Sequence, residues 1–297
     1  MNAPLWVPST DRVKNSQLTE FMKFCETRTG QKFYNYDDIW QWSVDDIASF
    51  WDAVWDYCGV IGDKGAVVFQ EGKFAPPKEK GAAQFYTQSR INYAENMLTK
   101  RDDDLAITFR AEQGEDRRLT YRDLYEQVSL WQQAFIDAGV KKGDRIAGYM
   151  PNMPETIIAM LACTSLGAVW ASASPDFGEQ GLIDRFGQIK PKILVAVDGY
   201  FYGGKTIDCL AKIKAVQPAL EGLERTIIVP FVDKNPDIAS LKNTQCCGAF
   251  LARFSPGEVE FTRLDFTHPL FIMFSSGTTG APKCIVHGHG GVLLQHL

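Results

Sequence analysis

Between residues 105 and 197 short apolar runs alternate with amphipathic stretches of helical length, and this alternation limits the fold more than any other feature. Residues 105–109, 145–150, 168–172 and 193–197 have the length and apolar content of strands. Thr120 with Asp123 opens a helix whose apolar face is Leu124, Val128, Trp131 and Phe135 and which ends at Gly139. Pro151 and Asn152 break the second strand. Residues 155–166 then read as an apolar helix closed by Gly167, and 177–189 as another. Strands separated by helices cannot be joined as hairpins. The order β-α-β-α-β therefore predicts an α/β fold: a mainly parallel sheet with helices on both faces.

The first hundred residues follow a different pattern. Leu18, Phe21, Met22 and Cys25 recur at helical spacing. Ser43 is placed to cap a second helix, with Asp46 in its first turn, an apolar stripe of Ile47, Trp51, Val54, Trp55 and Cys58, and Gly59 at its end. The tryptophans follow the helical period, so core packing explains them better than a platform for stacking bases. Residues 72–81 hold two prolines and three lysines and read as a solvated surface loop.

Further along, Ser174 or Asp176 is a candidate cap for the helix that follows, and Asp144 reads as a turn residue. Residues 198–205 lie beyond a strand's carboxyl end, where open α/β sheets bind ligands, so Lys205 could meet a coenzyme phosphate. A simple turn explains the same residues. Residues 211–223 read as a helix, 226–229 as a strand, and 233–262 as a polar, irregular stretch with a short helix.

The composition is that of an ordinary folded protein: 297 residues, 45% hydrophobic and 23% charged. A net charge of −5 and a pI near 5.5 argue against nucleic acid or an anionic membrane as main partner. No apolar run approaches the ~18 residues needed to span a bilayer, and the first thirteen residues lack an apolar signal core. The seven cysteines are scattered, with no Cys-x-x-Cys pair, and the four histidines sit in no metal-ligand spacing. Reduced thiols in a cytoplasmic protein are expected.

The chemistry concentrates in Phe-Ile-Met-Phe-Ser-Ser-Gly-Thr-Thr-Gly-Ala-Pro-Lys, residues 271–283. Residues 271–274 read as a buried strand and 284–286 as a second one. The loop between them suits polyphosphate. Gly277 and Gly280 permit close backbone approach to an anion, and Ser275, Ser276, Thr278 and Thr279 add hydroxyl donors. Lys283 adds a mobile positive charge for the outer phosphates. The string is not the common P-loop, because Pro282 occupies the second glycine position and Cys284 follows the lysine. Without a ligand it would be a hydroxyl-rich hairpin loop.

Ser275-Ser276-Gly277-Thr278-Thr279-Gly280 with Pro282-Lys283 resembles the phosphate-binding signature of the adenylate-forming superfamily of acyl-CoA synthetases, luciferases and peptide-synthetase adenylation domains. His287-Gly288-His289-Gly290-Gly291 and residues 170–178 are similar to the acetoacetyl-CoA synthetase branch. Trp40-Gln41-Trp42-Ser43 through Phe50-Trp51 resembles the N-terminal extension of acetyl- and acetoacetyl-CoA synthetases. The resemblance implies an extension over 1–100 and an incomplete AMP-binding domain over 101–297.

It further implies a ligase that uses ATP, Mg2+ and coenzyme A to activate a small carboxylate, acetoacetate, through an acyl-adenylate. Lys283 and Thr278 would be catalytic, and Ser275, Ser276, Gly277, Thr278, Thr279, Gly280 and Lys283 would bind the nucleotide. The superfamily's later features are an acidic Tyr-Gly-x-Thr-Glu-type motif, a ribose-binding aspartate and a small domain with a catalytic lysine. None lies in 1–297. The expected reading is thus an N-terminal fragment, inactive without the missing C-terminal half as its partner. Rival readings stay open: acetate or propionate as the acid, a non-catalytic nucleotide- or partner-binding module, or an NTPase with an atypical loop. His287 and His289 read as polar lining or turn, since a catalytic histidine needs an oriented partner.

Overall fold

The computed structural model describes residues 5–114, 116–275 and 280–297. They divide into two compact units, one made mainly of residues 5–60 and 64–88, the other of 61–63 and 89–296.

The first unit is helical: α1 (Gln17–Thr29), α2 (Tyr36–Asp45) and α3 (Ile47–Tyr57). Ser16 caps α1 by accepting from the Thr19 amide, and Gly30, at φ +75°, ends it. The core gathers Phe21, Cys25, Phe33, Ile39, Trp42 and Ala53. Phe50 meets the rings of Phe21 and Trp42 edge-on at 5.9 and 5.7 Å. The expected helix start at Ser43 is wrong. Ser43 lies inside α2 and donates to the Trp40 carbonyl at 2.6 Å. Asp46 ends α2 and caps α3, accepting from the Ser49 amide. Of the stripe tryptophans, Trp55 is buried against the Tyr86 ring at 5.0 Å and Trp51 is half-buried, its ring 5.3 Å from that of Phe50, so both serve packing.

The second unit begins with α4 (Tyr93–Met97) and a hairpin of β1 (Leu105–Arg110) and β2 (Asp116–Thr120). The run 105–109 is a strand, but it pairs only within this hairpin and takes no part in the main sheet. Thr120 and Asp123 form a reciprocal capping box at the start of α5 (Tyr121–Asp137). Next come β3 (Arg145–Tyr149), α6 (Pro154–Ser165), β4 (Val169–Ala173), α7 (Glu179–Ile189) and β5 (Ile193–Val197). A second hairpin, β6 (Gly199–Tyr202) and β7 (Lys205–Asp208), precedes α8 (Leu210–Val216) and β8 (Arg225–Val229). The chain closes with β9 (Thr244–Cys246), α9 (Cys247–Leu251), β10 (Pro269–Ser275), β11 (Lys283–Gly288) and α10 (His289–His296).

Seven strands form the main sheet in the order β9-β8-β5-β3-β4-β10-β11, parallel except for the last pair. The path steps from β3 to β4, then back past β3 to β5 and β8. Right-handed crossovers in opposite directions place α6 on one face and α7 and α8 on the other. Central β5 is buried at all five positions, as expected of a parallel strand covered on both sides. Gly148 of β3 has no room for a side chain. A Cβ there would stand 2.5 Å from the Trp170 ring of β4.

Several boundaries differ from expectation. Gly178, not Ser174 or Asp176, begins α7, and no side chain caps it. Ser174 donates to Asp176 at 2.8 Å instead, inside the preceding turn. The helix expected over 211–223 ends at Val216 and passes into a 3-10 turn through Pro218, which has no amide hydrogen to continue it. The irregular stretch holds an edge strand, β9. Residues 198–205 form most of a hairpin, with Gly203 and Gly204 at φ +59° and +72°. Asp144 is a turn residue, accepting from the Lys141 amide at 2.9 Å.

Candidate functional site

The string 271–283 spans a β-hairpin. β10 and β11 pair antiparallel from Phe271↔His287 to Ser275↔Lys283, so the serine and the lysine face each other at the mouth of the loop. Leu270 and Ile272 point into the core while Met273 is exposed, the period-2 pattern of a strand with one covered face. Gly280 has φ +101°, a backbone that only glycine adopts without strain. The predicted Ser276, Gly277, Thr278 and Thr279 lie outside the described residues. Ser275, Gly280 and Lys283 therefore mark the two ends of the candidate site. Lys283 is exposed and makes no ion pair among the described residues. Its ammonium is thus available to an anion.

The hairpin leaves the sheet soon after it joins it. β10 meets β4 at one position, Phe271↔Trp170. Beyond that point its two arms meet α7. The Phe274 ring lies 6.2 Å from the Phe186 ring, and Gln188 Nε2 donates to the Pro282 carbonyl at 2.9 Å. Sequence reading missed Gln188, and no local pattern marks it, because its partner is 94 positions away. Beside the hairpin lies a cavity of about 410 Å³, lined by Met160, Trp170, Ser172, Phe271, Met273, His287 and Val292 among others. Its walls are mainly apolar, with a few polar tips, a composition that suits a small ligand.

The two histidines of the downstream glycine motif separate in role. His287 is exposed and lines the cavity. His289 is buried at the start of α10, where its Nδ1 accepts the Tyr93 amide at 3.3 Å. Burial, helped by the nearby His268 ring, pushes its pKa down to about 3. His289 does have an oriented partner, but the partner is backbone and the ring is neutral and enclosed. Tyr93 extends the same joint, its hydroxyl sharing a hydrogen bond with His296 Nδ1 at 2.9 Å.

At the carboxyl ends of the central strands, Tyr149 donates its hydroxyl to the Pro175 and Phe177 carbonyls at 2.7 and 3.0 Å. Lys212 reaches the same Pro175 carbonyl at 3.1 Å. These bonds hold the turn 174–178 in place. Asp198 is buried, and its carboxylate accepts the amides of Phe231, Val232 and Asp233. It closes the loop 231–233. Lys205 stands exposed at the start of β7. Among the described residues no group of three or more His, Cys, Asp or Glu could hold a metal ion. No described helix is long and apolar enough to cross a membrane.

Comparison with known proteins agrees with this geometry. Acetoacetyl-coenzyme A synthetase of Rhizobium meliloti (strain 1021) is 46% identical over 295 residues, which are 99% of this chain and 44% of that protein. Acetoacetyl-CoA synthetase of Rattus norvegicus is 40% identical over 303 residues, with the same shares. A solved structure, acetoacetyl-CoA synthetase from Streptomyces lividans, matches with a TM-score of 0.90 at 32% identity, covering 99% of this chain and 45% of that one. The chain thus spans less than half the length of the relatives it matches. The AMP-binding enzyme family matches residues 94–296, from α4 through the hairpin to α10, and the chain belongs to that family.

Proposed function

We propose that this chain carries the ATP-gripping part of an acetoacetate–CoA ligase. In the reaction of the whole enzyme, an oxygen of the acetoacetate carboxylate attacks the α-phosphorus of ATP. The bond to the β-phosphate oxygen breaks, giving acetoacetyl-adenylate and pyrophosphate. The thiol of coenzyme A then takes the acyl group and AMP leaves. The observation that carries the reading is the facing pair Ser275 and Lys283 at the mouth of a hairpin whose connecting residues are hydroxyl- and glycine-rich.

Negative charge builds on the departing pyrophosphate in the first step. Lys283 neutralises part of it, and Thr278 donates to it. Ser275, Ser276, Gly277, Thr279 and Gly280 complete the cradle with hydroxyls and backbone amides. Mg2+, when bound, would supply positive charge to the phosphates, and among the described residues no cluster of three or more His, Cys, Asp or Glu would hold it. Acetoacetate is preferred to acetate or propionate because the relatives cited above are named for it. The division into an extension, 1–100, and an adenylate-forming part, 101–297, belongs to the same proposal, as does a cytoplasmic location.

Calorimetric titration of the chain with ATP tests the reading. Saturable binding that Lys283→Ala weakens at least tenfold is expected. Equal binding by both proteins would remove the lysine and its loop from the site.

A further inference from the structure

Lys283 must present its ammonium at a fixed place if it is to stabilise a leaving phosphate, yet its strand is the outermost of the sheet and its hairpin joins the sheet at one position. Ladder pairing with Ser275 fixes one side of the lysine. On the other side, the residue before it is Pro282, which has no amide hydrogen, so its carbonyl is the only polar backbone group it can use as a hold. That carbonyl belongs to the peptide unit that carries the Lys283 amide. Gln188 Nε2 donates to it at 2.9 Å. The same nitrogen donates to the Asp184 carbonyl one turn back at 2.5 Å, which holds the glutamine side chain along α7. Phe186 on that helix meets Phe274 on the opposite arm of the hairpin.

We propose that Gln188 is a positioning residue for Lys283: by clamping the Pro282 carbonyl it sets the direction in which the lysine leaves the backbone. The proposal rests on the reading of this hairpin as the phosphate grip. Gln188 is exposed and caps no element, so its removal leaves the core untouched. A glutamine that merely decorated the surface would not affect the lysine.

The test compares the parent chain with Gln188→Met, Gln188→Lys and Lys283→Ala. Backbone amide exchange is followed over 283–285, ATP affinity by calorimetry, and the unfolding midpoint by heating. Gln188→Met keeps the length of the side chain and removes the donor, whereas Gln188→Lys restores a donor. In Gln188→Met the amides of 283–285 should exchange about three- to tenfold faster, and ATP should bind about three- to tenfold more weakly, the span set by one net hydrogen bond. The midpoint should not move, and Gln188→Lys should recover the parent exchange rate. Unchanged exchange in Gln188→Met overturns the proposal. ATP affinity lost in Lys283→Ala but kept in Gln188→Met also overturns it, while leaving the phosphate reading intact. Equal ATP binding by the parent and Lys283→Ala removes the phosphate reading and the proposal with it.

Discussion

His289 accepts the backbone amide of Tyr93 on its Nδ1, joining the start of α10 to the start of α4 across 196 positions of sequence. The bond requires an unprotonated Nδ1. Burial holds the folded pKa near 3, against an ordinary 6.5. Between these values the unfolded chain binds the proton and the folded chain does not.

Stability should therefore be full above pH 6.5 and fall as pH drops towards 3. The expected loss is about 2 kcal/mol by pH 5, at 1.36 kcal/mol per pH unit. Urea unfolding at pH 7, 6 and 5 measures it. His289→Gln should flatten the slope across that range. A parent chain equally stable at pH 5 and 7 would contradict the assignment.

Asn92 is fully buried, and its amide donates to the carbonyls of Thr164, Ser165 and Thr262 at 3.2, 3.0 and 2.8 Å. Its Oδ1 accepts the Glu95 amide at the start of α4. Asn92→Ala removes the side-chain donor from the Thr262 carbonyl and one of two donors from the Thr164 and Ser165 carbonyls, which keep the Gly167 and Thr262 amides, and it also removes the acceptor for the Glu95 amide. A loss of about 3 kcal/mol is expected in urea unfolding. A change below about 1 kcal/mol would mean that water replaces the amide.

Gly290 and Gly291 are neighbours in α10 with opposite surroundings. A Cβ on Gly290 would fall inside the Phe266 ring, whereas one on Gly291 would meet nothing within 4 Å. Gly290→Ala should destabilise by about 3 kcal/mol through overpacking. Gly291→Ala should stabilise by about 0.5–1 kcal/mol through helix propensity. Thermal unfolding of the two variants should move in opposite directions.

Lys283→Ala, in a protein extended to the full length of its relatives, should slow single-turnover pyrophosphate release by about 10²–10³. The chain of 297 residues alone should form no acetoacetyl-CoA. Turnover by the pure chain would refute the fragment reading.

Most of the sheet was legible because its signals are local. Thr120 and Asp123 form the capping box their spacing predicts, and Gly139 and Gly167 end their helices at φ +74° and +72°. The two strands expected at 271–274 and 284–286 were readable for the same reason. The failures have physical causes. β2 is Asp-Arg-Arg-Leu-Thr, too polar to register as a strand, and its hairpin with β1 keeps both out of the main sheet. The break at Asp46 was masked by apolar residues that keep helical period across it. At the candidate site, Gly280 and Lys283 were singled out by the sequence. The hold of Gln188 on Pro282 did not, because it exists only once α7 and the hairpin have packed.

β11 is the last strand of the sheet, and Ile285 and Val286 on it are 45% and 56% exposed. Lys283 is the only residue of this strand that carries a fixed charge. Such a border offers unsatisfied backbone donors and acceptors beside greasy side chains, which is what another β-segment needs in order to add itself. In concentrated solution the chain should thus grow into larger species with dilution-reversible kinetics. A charge placed at Val286 would be the simplest means of keeping it dispersed.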